Sequence, residues 1–229
     1  MKKTLKSAFI SSLPVMAGYL VIGFGFGLIS EKSGYGFLPA VAMSLFIYAG
    51  SMQYVTVSLL TGGASLITSA LTTLMVNARH LFYGISMVEQ YKDMGMAKPY
   101  LIFGLTDETY SLVCQGNCDE GVDFKKYCFF VTLLNHIYWI SGSAIGVLAG
   151  SLITINTAGV EFAMTALFIT VFVEQWKSTK NHIPALIGVG SSLLCLLIFG
   201  TDRFLIPSML LITIFLCLGR RFAKGGNAE

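Results

Sequence analysis

Eight apolar runs dominate the sequence, at about residues 8–29, 37–60, 65–88, 100–116, 127–149, 160–176, 182–199 and 204–219. Most reach the roughly 17–25 residues that a helix needs to span a hydrocarbon core of about 30 Å. Hydrocarbon offers no water to backbone N–H and C=O groups, so segments of this kind must pair those groups internally, as a helix does. Only 12% of the 229 residues are charged and 55% are hydrophobic. A soluble domain carries about a quarter charged residues. The chain is therefore expected to be an all-α polytopic membrane protein of about eight transmembrane helices, some of them broken or re-entrant. No loop is long enough for a soluble domain, so residues 1–229 read as a single transmembrane domain.

Loop charges supply an orientation. With the N-terminus inside, the cytoplasmic segments hold Lys2, Lys3, Lys6, Lys125, Lys126, Lys177, Lys180, Arg220, Arg221 and Lys224, ten basic residues against four outside (Lys32, Lys92, Lys98 and Arg203). That is the positive-inside bias, and it places both termini in the cytoplasm. If run 100–116 did not cross, every later loop would flip and the bias would reverse. The fourth run is thus expected to traverse, or two segments are re-entrant together. The N-terminal run is too long for a cleaved signal peptide and lacks a clear cleavage pattern. The five cysteines, Cys114, Cys118, Cys128, Cys195 and Cys217, are odd in number and fit no secreted framework, so free thiols are expected.

Against this apolar background two polar clusters stand out, Asn77-Ala78-Arg79-His80 and Thr106-Asp107-Glu108. An ionised side chain near the bilayer centre costs roughly 2.5–3.5 kcal/mol on the lenient insertion scale, so Arg79, Asp107 and Glu108 together cost about 8–10 kcal/mol before any pairing. Such residues either line a transport pathway or pair to hold a bundle together. Spans three and four are joined by about eleven residues, which makes them antiparallel neighbours whose charges can meet at similar depth. One carboxylate then neutralises Arg79, with Asp107 the favoured partner because its side chain is the shorter. The other is left as a carboxyl that can carry a proton, or as a spare in a structural salt bridge.

Helical spacing extends the polar set into three stripes. Ser69, Thr73, Asn77, His80 and Gly84 share a face of the third span, with Arg79 turned about a hundred degrees away. Gly104, Asp107, Glu108, Ser111 and Gln115 mark the fourth, and Thr132, Asn135, His136, Trp139, Gly142 and Gly146 the fifth. His80 and His136 are candidates for proton relay or for ordinary interhelical hydrogen bonds. Gln53, after the small residues Ala49, Gly50 and Ser51, either faces a cavity at a helix break or bonds to a neighbouring helix. Gly23 and Gly27 in span one, and Gly142 and Gly146 in span five, read as small-xxx-small packing faces, or as places where a helix unwinds beside substrate. The Gly23-x-Gly25 pattern does not signal a nucleotide, because the strand and soluble βαβ unit it needs are absent.

These residues resemble a known family. Tyr48-Ala49-Gly50-Ser51-Met52-Gln53, then Asn77-Ala78-Arg79-His80 with Tyr83-Gly84, then Gly104-Leu105-Thr106-Asp107-Glu108 look like the AzlC/YgaZ family of branched-chain amino acid permeases. The Pro14–Gly27 region and the Gly142/Gly146 segment fit as well. Family members often carry Ala where Ser51 stands and an apolar residue where Tyr54 stands. The resemblance implies an inner-membrane exporter of leucine, isoleucine and valine, working with a much smaller AzlD/YgaH-like membrane subunit.

On this reading the substrate and ion pathway is drawn from Gln53, Asn77, Arg79, His80, Asp107, Glu108, Asn135 and His136, with Phe82, Tyr83, Tyr110 and Trp139 around an apolar pocket. The implied mechanism is a proton-coupled secondary transporter. Its expected partners are the small subunit, an amino-acid substrate and the lipid bilayer, with no nucleic acid, cofactor or metal. The residues leave open a carrier or channel for another small amino acid or amine, and a non-transporting structural subunit. An energising subunit lacks support because there is no Walker A motif. An enzyme lacks it because no His-Glu-x-x-His spacing or nucleophile motif occurs.

Overall fold

A computed structural model describes residues 2–77, 79–114, 116, 121–152, 169, 172–173, 176–177, 182–200, 204, 207–208 and 210–216, and the side chains of Met75 and Phe82 lie outside that set. Among the described residues every regular element is helical. In chain order these are α1 (Lys2–Lys32), α2 (Phe37–Phe46), α3 (Gly50–Thr61), α4 (Leu66–Asn77), α5 (Arg79–Met87), α6 (Lys98–Phe103), α7 (Asp107–Val113), α8 (Phe124–Leu152) and α9 (Ile183–Phe199). Two of them, α1 and α8, are long and apolar enough to cross a membrane, and α2 and α9 are shorter apolar helices. Of the expected eight spans, two are clear among the described residues. The second and fourth runs are each split into two short helices, and most of the sixth lies outside the described residues.

The chain forms two compact units, residues 1–167 and 168–229. In the first, α1 and α8 lie directly against each other. A Cβ on Gly23 would fall 3.0 Å from the Trp139 carbonyl oxygen, and one on Gly142 2.8 Å from that of Tyr19. A Cβ on Gly27 or Gly146 would collide with the Ser143 or Phe24 carbonyl. Only glycine permits this approach, which brings the two backbones into van der Waals contact over two turns. The paired residues rise together along both helices, so α1 and α8 are parallel. Two parallel helices crossing one membrane need an odd number of crossings between them. The chain between residues 32 and 124 meets that condition if α2/α3, the 65–88 run and α6/α7 each traverse.

Two breaks interrupt the helices packed on this pair. Between α2 and α3 the backbone turns at Tyr48, whose φ of 46° is the one positive value at a non-glycine among the described residues. A left-handed Tyr costs about 1–2 kcal/mol, and it is held by burial of its ring against His136, 4.3 Å between centroids. Between α6 and α7 the chain passes through Gly104, where a Cβ would collide with Thr132 of α8. Thr106 then caps α7, its hydroxyl accepting from the Thr109 amide at 3.2 Å. At the start of α8, Asp123 accepts from the Lys125 amide at 3.1 Å, and the hydrogen bond from Lys126 holds its carboxyl below the ordinary carboxylate range.

The core of the first unit has two parts. Tyr19, Ile22 and Phe26 of α1 pack with Tyr54, Val57, Trp139 and Val147. Ala8, Met87, Leu101, Leu105, Val113 and Val131 form the other part. In the second unit, Pro184 opens α9 and Gly200 ends it at φ 71°. The Trp176 ring stacks on His182 there, 4.1 Å between centroids. Cys114 and Cys195 are free thiols and Cys128 is buried, while Cys118 and Cys217 lie outside the described residues.

Candidate functional site

Both helix breaks open onto one set of charged and hydroxyl side chains. Arg79, the first residue of α5, donates from Nη1 to Asp107 Oδ2 and from Nη2 to Ser51 Oγ at 2.7 Å. Ser51 lies in the first turn of α3 and Asp107 begins α7, so one guanidinium joins the two short helices that follow the breaks. Both members of the ion pair remain partly exposed, at 29% for the Arg79 side chain and 27% for that of Asp107.

Glu108, the next residue, faces elsewhere. The Tyr19 hydroxyl donates to Glu108 Oε2 at 2.6 Å and shares a 2.7 Å hydrogen bond with Thr106 Oγ1. Thr106 and Thr109 hydroxyls are 3.1 Å apart, and Asn135 Nδ2 donates to Thr109 Oγ1 at 3.0 Å. Thus Asp107 is paired with a cation, whereas Glu108 is held by a phenol at the end of a hydroxyl chain running from α1 through α7 to α8. Asn135 Oδ1 is buried with no hydrogen-bond partner among the described residues. Tyr83 stacks on Tyr110, 4.9 Å between centroids, and lies within electrostatic reach of Asp107.

The other expected site residues divide between two places. Gln53 is sealed inside the bundle. It donates to Ser44 Oγ at 3.1 Å and accepts from Trp139 Nε1 at 2.9 Å, so it ties α3 to α2 and α8. Gly50 makes room for that indole, since a Cβ there would lie 3.0 Å from Trp139 Cη2. His136 bonds the Tyr100 hydroxyl through Nδ1 at 3.1 Å and the Ser44 carbonyl through Nε2 at 3.3 Å. Those partners suit a neutral ring that donates from Nε2 and accepts at Nδ1. It sits beside the Tyr48 break.

The polar stripe of the 65–88 run faces a cavity of about 480 Å³ whose wall includes Thr73, Asn77, His80 and Gly84, with Ile102 and Leu105 opposite. His80 makes a local contact, its Nδ1 lying 3.2 Å from the Asn77 carbonyl. Arg79 leaves the helix on another side, as the hundred-degree rotation predicts. Tyr83, Tyr110 and Trp139 do not line this cavity. The hydroxyl of Tyr110 and the indole N–H of Trp139 draw them to Ser86 and Gln53 instead. The Phe82 side chain and Gln115 lie outside the described residues. Among the described residues no three His, Cys, Asp or Glu side chains gather in a way that could hold a metal ion.

Tyr19 and Ser51 bond the charged residues directly, and Thr106 and Thr109 extend the network from Tyr19, although the sequence pattern assigned none of the four a site role. A phenol in an apolar span needs a partner, which was the available signal for Tyr19. Its partner, 89 positions away, was not legible.

Comparison with known proteins places this constellation in a family. Residues 14–153 match the family described as AzlC protein, a stretch that contains α1 from Pro14, both breaks and the whole charged cluster. The chain is 46% identical over 207 residues to the branched-chain amino acid transport protein AzlC of Bacillus subtilis strain 168, covering 90% of this chain and 82% of that protein. It is 42% identical to an uncharacterized membrane protein of Helicobacter pylori strain 26695, over 96% of each chain. It is 28% identical to the inner membrane protein YgaZ of Escherichia coli K12, over 89% of this chain and 83% of that one. No solved structure matches the chain. The helical membrane protein with an Arg79–Asp107 pair at two helix breaks belongs to the AzlC family.

Proposed function

We propose that this chain is a secondary transporter that exports leucine, isoleucine and valine across the inner membrane, driven by protons and assisted by a small AzlD/YgaH-like membrane subunit. The observation that carries the reading is the split between two adjacent acids, with Asp107 on Arg79 and Glu108 on Tyr19. An amino-acid zwitterion needs a cation for its carboxylate, an acid for its ammonium and an apolar place for its side chain. Arg79 with Ser51 meets the first need and Glu108 the second. The cavity beside Leu105, at about 480 Å³, falls within the roughly 300–1,000 Å³ usual for small-ligand sites. Asn77 and His80 on its wall then limit how polar a side chain it takes.

Glu108 is also the proposed proton carrier, because its carboxyl is held by a phenol with a hydroxyl chain behind it. Arg79, Asp107, Glu108 and a zwitterion together carry one excess negative charge, which is costly in a low-dielectric site. Uptake of one proton removes it. Asn135 and His136 position α7 and α2 around that chain. The loop charges support a topology with both termini in the cytoplasm.

Neutralising Asp107 and Glu108 separately, as Asp107→Asn and Glu108→Gln, and measuring leucine and valine efflux with the small subunit co-expressed tests the reading. Efflux is expected to fall at least tenfold in each at normal expression; full efflux from both variants would refute it. A structural-subunit reading instead expects the charge swap Arg79→Asp/Asp107→Arg to restore fold and efflux together.

A further inference from the structure

The charged pair is open while the network around it is closed. Gln53, Ser44, Ser143, Thr109 and Asn135 have no exposed surface, and their hydrogen bonds act as fixed ties between helices. Arg79 and Asp107 keep more than a quarter of their side-chain surface. A partly exposed ion pair ties two helices less firmly than the fully buried hydrogen bonds around it, so fastening α5 to α7 is a poor account of two intramembrane charges.

Exchanging one carboxylate for another on Arg79 has a small energetic cost, because the charge is conserved and the Nη1 hydrogen bond is replaced. The two ends of the pair also differ in anchorage. Arg79 is held on the far side by Ser51 of α3. Asp107 is the first residue of a seven-residue helix that follows the Gly104–Thr106 break, where a small backbone change swings it. Glu108 is tied to Tyr19 on the long helix α1, so the site for the ammonium stays in place when Asp107 moves.

We propose that Asp107 occupies the seat of the substrate's α-carboxylate on Arg79 and Ser51, and that an incoming amino acid binds by replacing it. This rests on the amino-acid transport reading above. The substrate carboxylate takes the Nη1 and Nη2 donors side by side, the geometry a guanidinium offers best, and Ser51 turns its hydroxyl to the same carboxylate. Displaced Asp107 joins Glu108 beside the substrate ammonium. Return of Asp107 to Arg79 then expels the substrate, so the residue acts as an internal competitor that sets both affinity and release. The ligands are α-amino acids with a free carboxylate. Ser51 is a determinant of how tightly that group is held.

The test is equilibrium binding to the full chain in lipid nanodiscs, with leucine, leucinol (no carboxylate) and 4-methylpentanoate (no ammonium) as probes. The wild type is expected to bind leucine at least tenfold more tightly than leucinol. In Asp107→Asn, leucine and 4-methylpentanoate should both bind at least threefold more tightly, with leucinol unchanged within twofold and efflux slowed. A folded Asp107→Asn protein that binds leucine equally or more weakly overturns the proposal. If that variant does not fold, the neutral pair Arg79→Gln/Asp107→Asn decides. Leucine and leucinol should then bind within twofold of each other, and a retained tenfold preference for leucine overturns the proposal. A wild type that binds no branched-chain amino acid removes the transport reading and this proposal together. One that binds leucine while its variants break the pattern removes only this proposal.

Discussion

Single side chains decide what the two intramembrane acids can do. Adjacent residues on a helix point about a hundred degrees apart, so Asp107 and Glu108 reach different elements and take different partners. Asp107 meets Arg79, as expected from its shorter reach, and Glu108 meets Tyr19. The Tyr19 hydroxyl is the direct support of the acid proposed to move the proton. A hydrogen bond to a charged group is worth about 1.5–3 kcal/mol, and about 1.4 kcal/mol is tenfold in rate. Tyr19→Phe is therefore expected to cut proton-driven leucine efflux about tenfold while leaving expression and leucine-independent thermal stability within a few degrees. Measuring efflux against an imposed pH gradient checks this. Unchanged dependence on the gradient would remove Tyr19, and with it the hydroxyl chain, from the mechanism.

At the scale of elements, the parallel α1/α8 pair is the fixed frame and the broken helices are the parts set upon it. The close glycine contacts predict opposite outcomes for the same substitution. Gly146→Ala pushes a methyl into the Phe24 backbone, which cannot yield as a side-chain tip can, and overpacking of this kind typically costs about 1–3 kcal/mol. Gly18→Ala, one helix face away, meets nothing within 4 Å and exchanges glycine for a better helix former, a gain of up to about 1 kcal/mol. Thermal unfolding of the two variants in the same detergent should move Tm down for the first and leave it level or higher for the second. Equal shifts would mean that the two helices do not approach as closely as the glycines permit.

The breaks were only half visible in the sequence. Small residues before Gln53 hinted at the first, whereas Gly104 read only as part of a polar face. Nothing local revealed that Tyr48, a bulky residue, takes the left-handed turn, because the compensation comes from a ring 88 positions away on α8. Gln53 shows the same limit. Its residue type fitted a cavity and a helix tie equally well, and burial between Ser44 and Trp139 favours the tie.

For the whole molecule, the parallel frame converts into a statement about topology. If α1 ends outside and α8 begins inside, the chain crosses an odd number of times between them, as the loop charges expect for three crossings. Single cysteines at Ser33 and Asp123, in a background without the five native cysteines, should label from opposite sides of the membrane with an impermeant maleimide. Labelling from the same side would reverse α8 and break the assignment of cytoplasmic termini.

Sequence alone determined the solvent, the helical class and the identity of the charged residues. Apolar run length, charge scarcity and the cost of charge in hydrocarbon are properties of composition and order along the chain. The pairings came only with tertiary structure. Whether Asp107 or Glu108 neutralises Arg79, that Tyr19 and Ser51 complete the cluster, and that His136 and Gln53 brace the bundle all depend on which helix faces meet. Those faces are set by backbone approach between glycines 119 positions apart, Gly23 with Gly142 and Gly27 with Gly146, and no local periodicity encodes a contact at that separation.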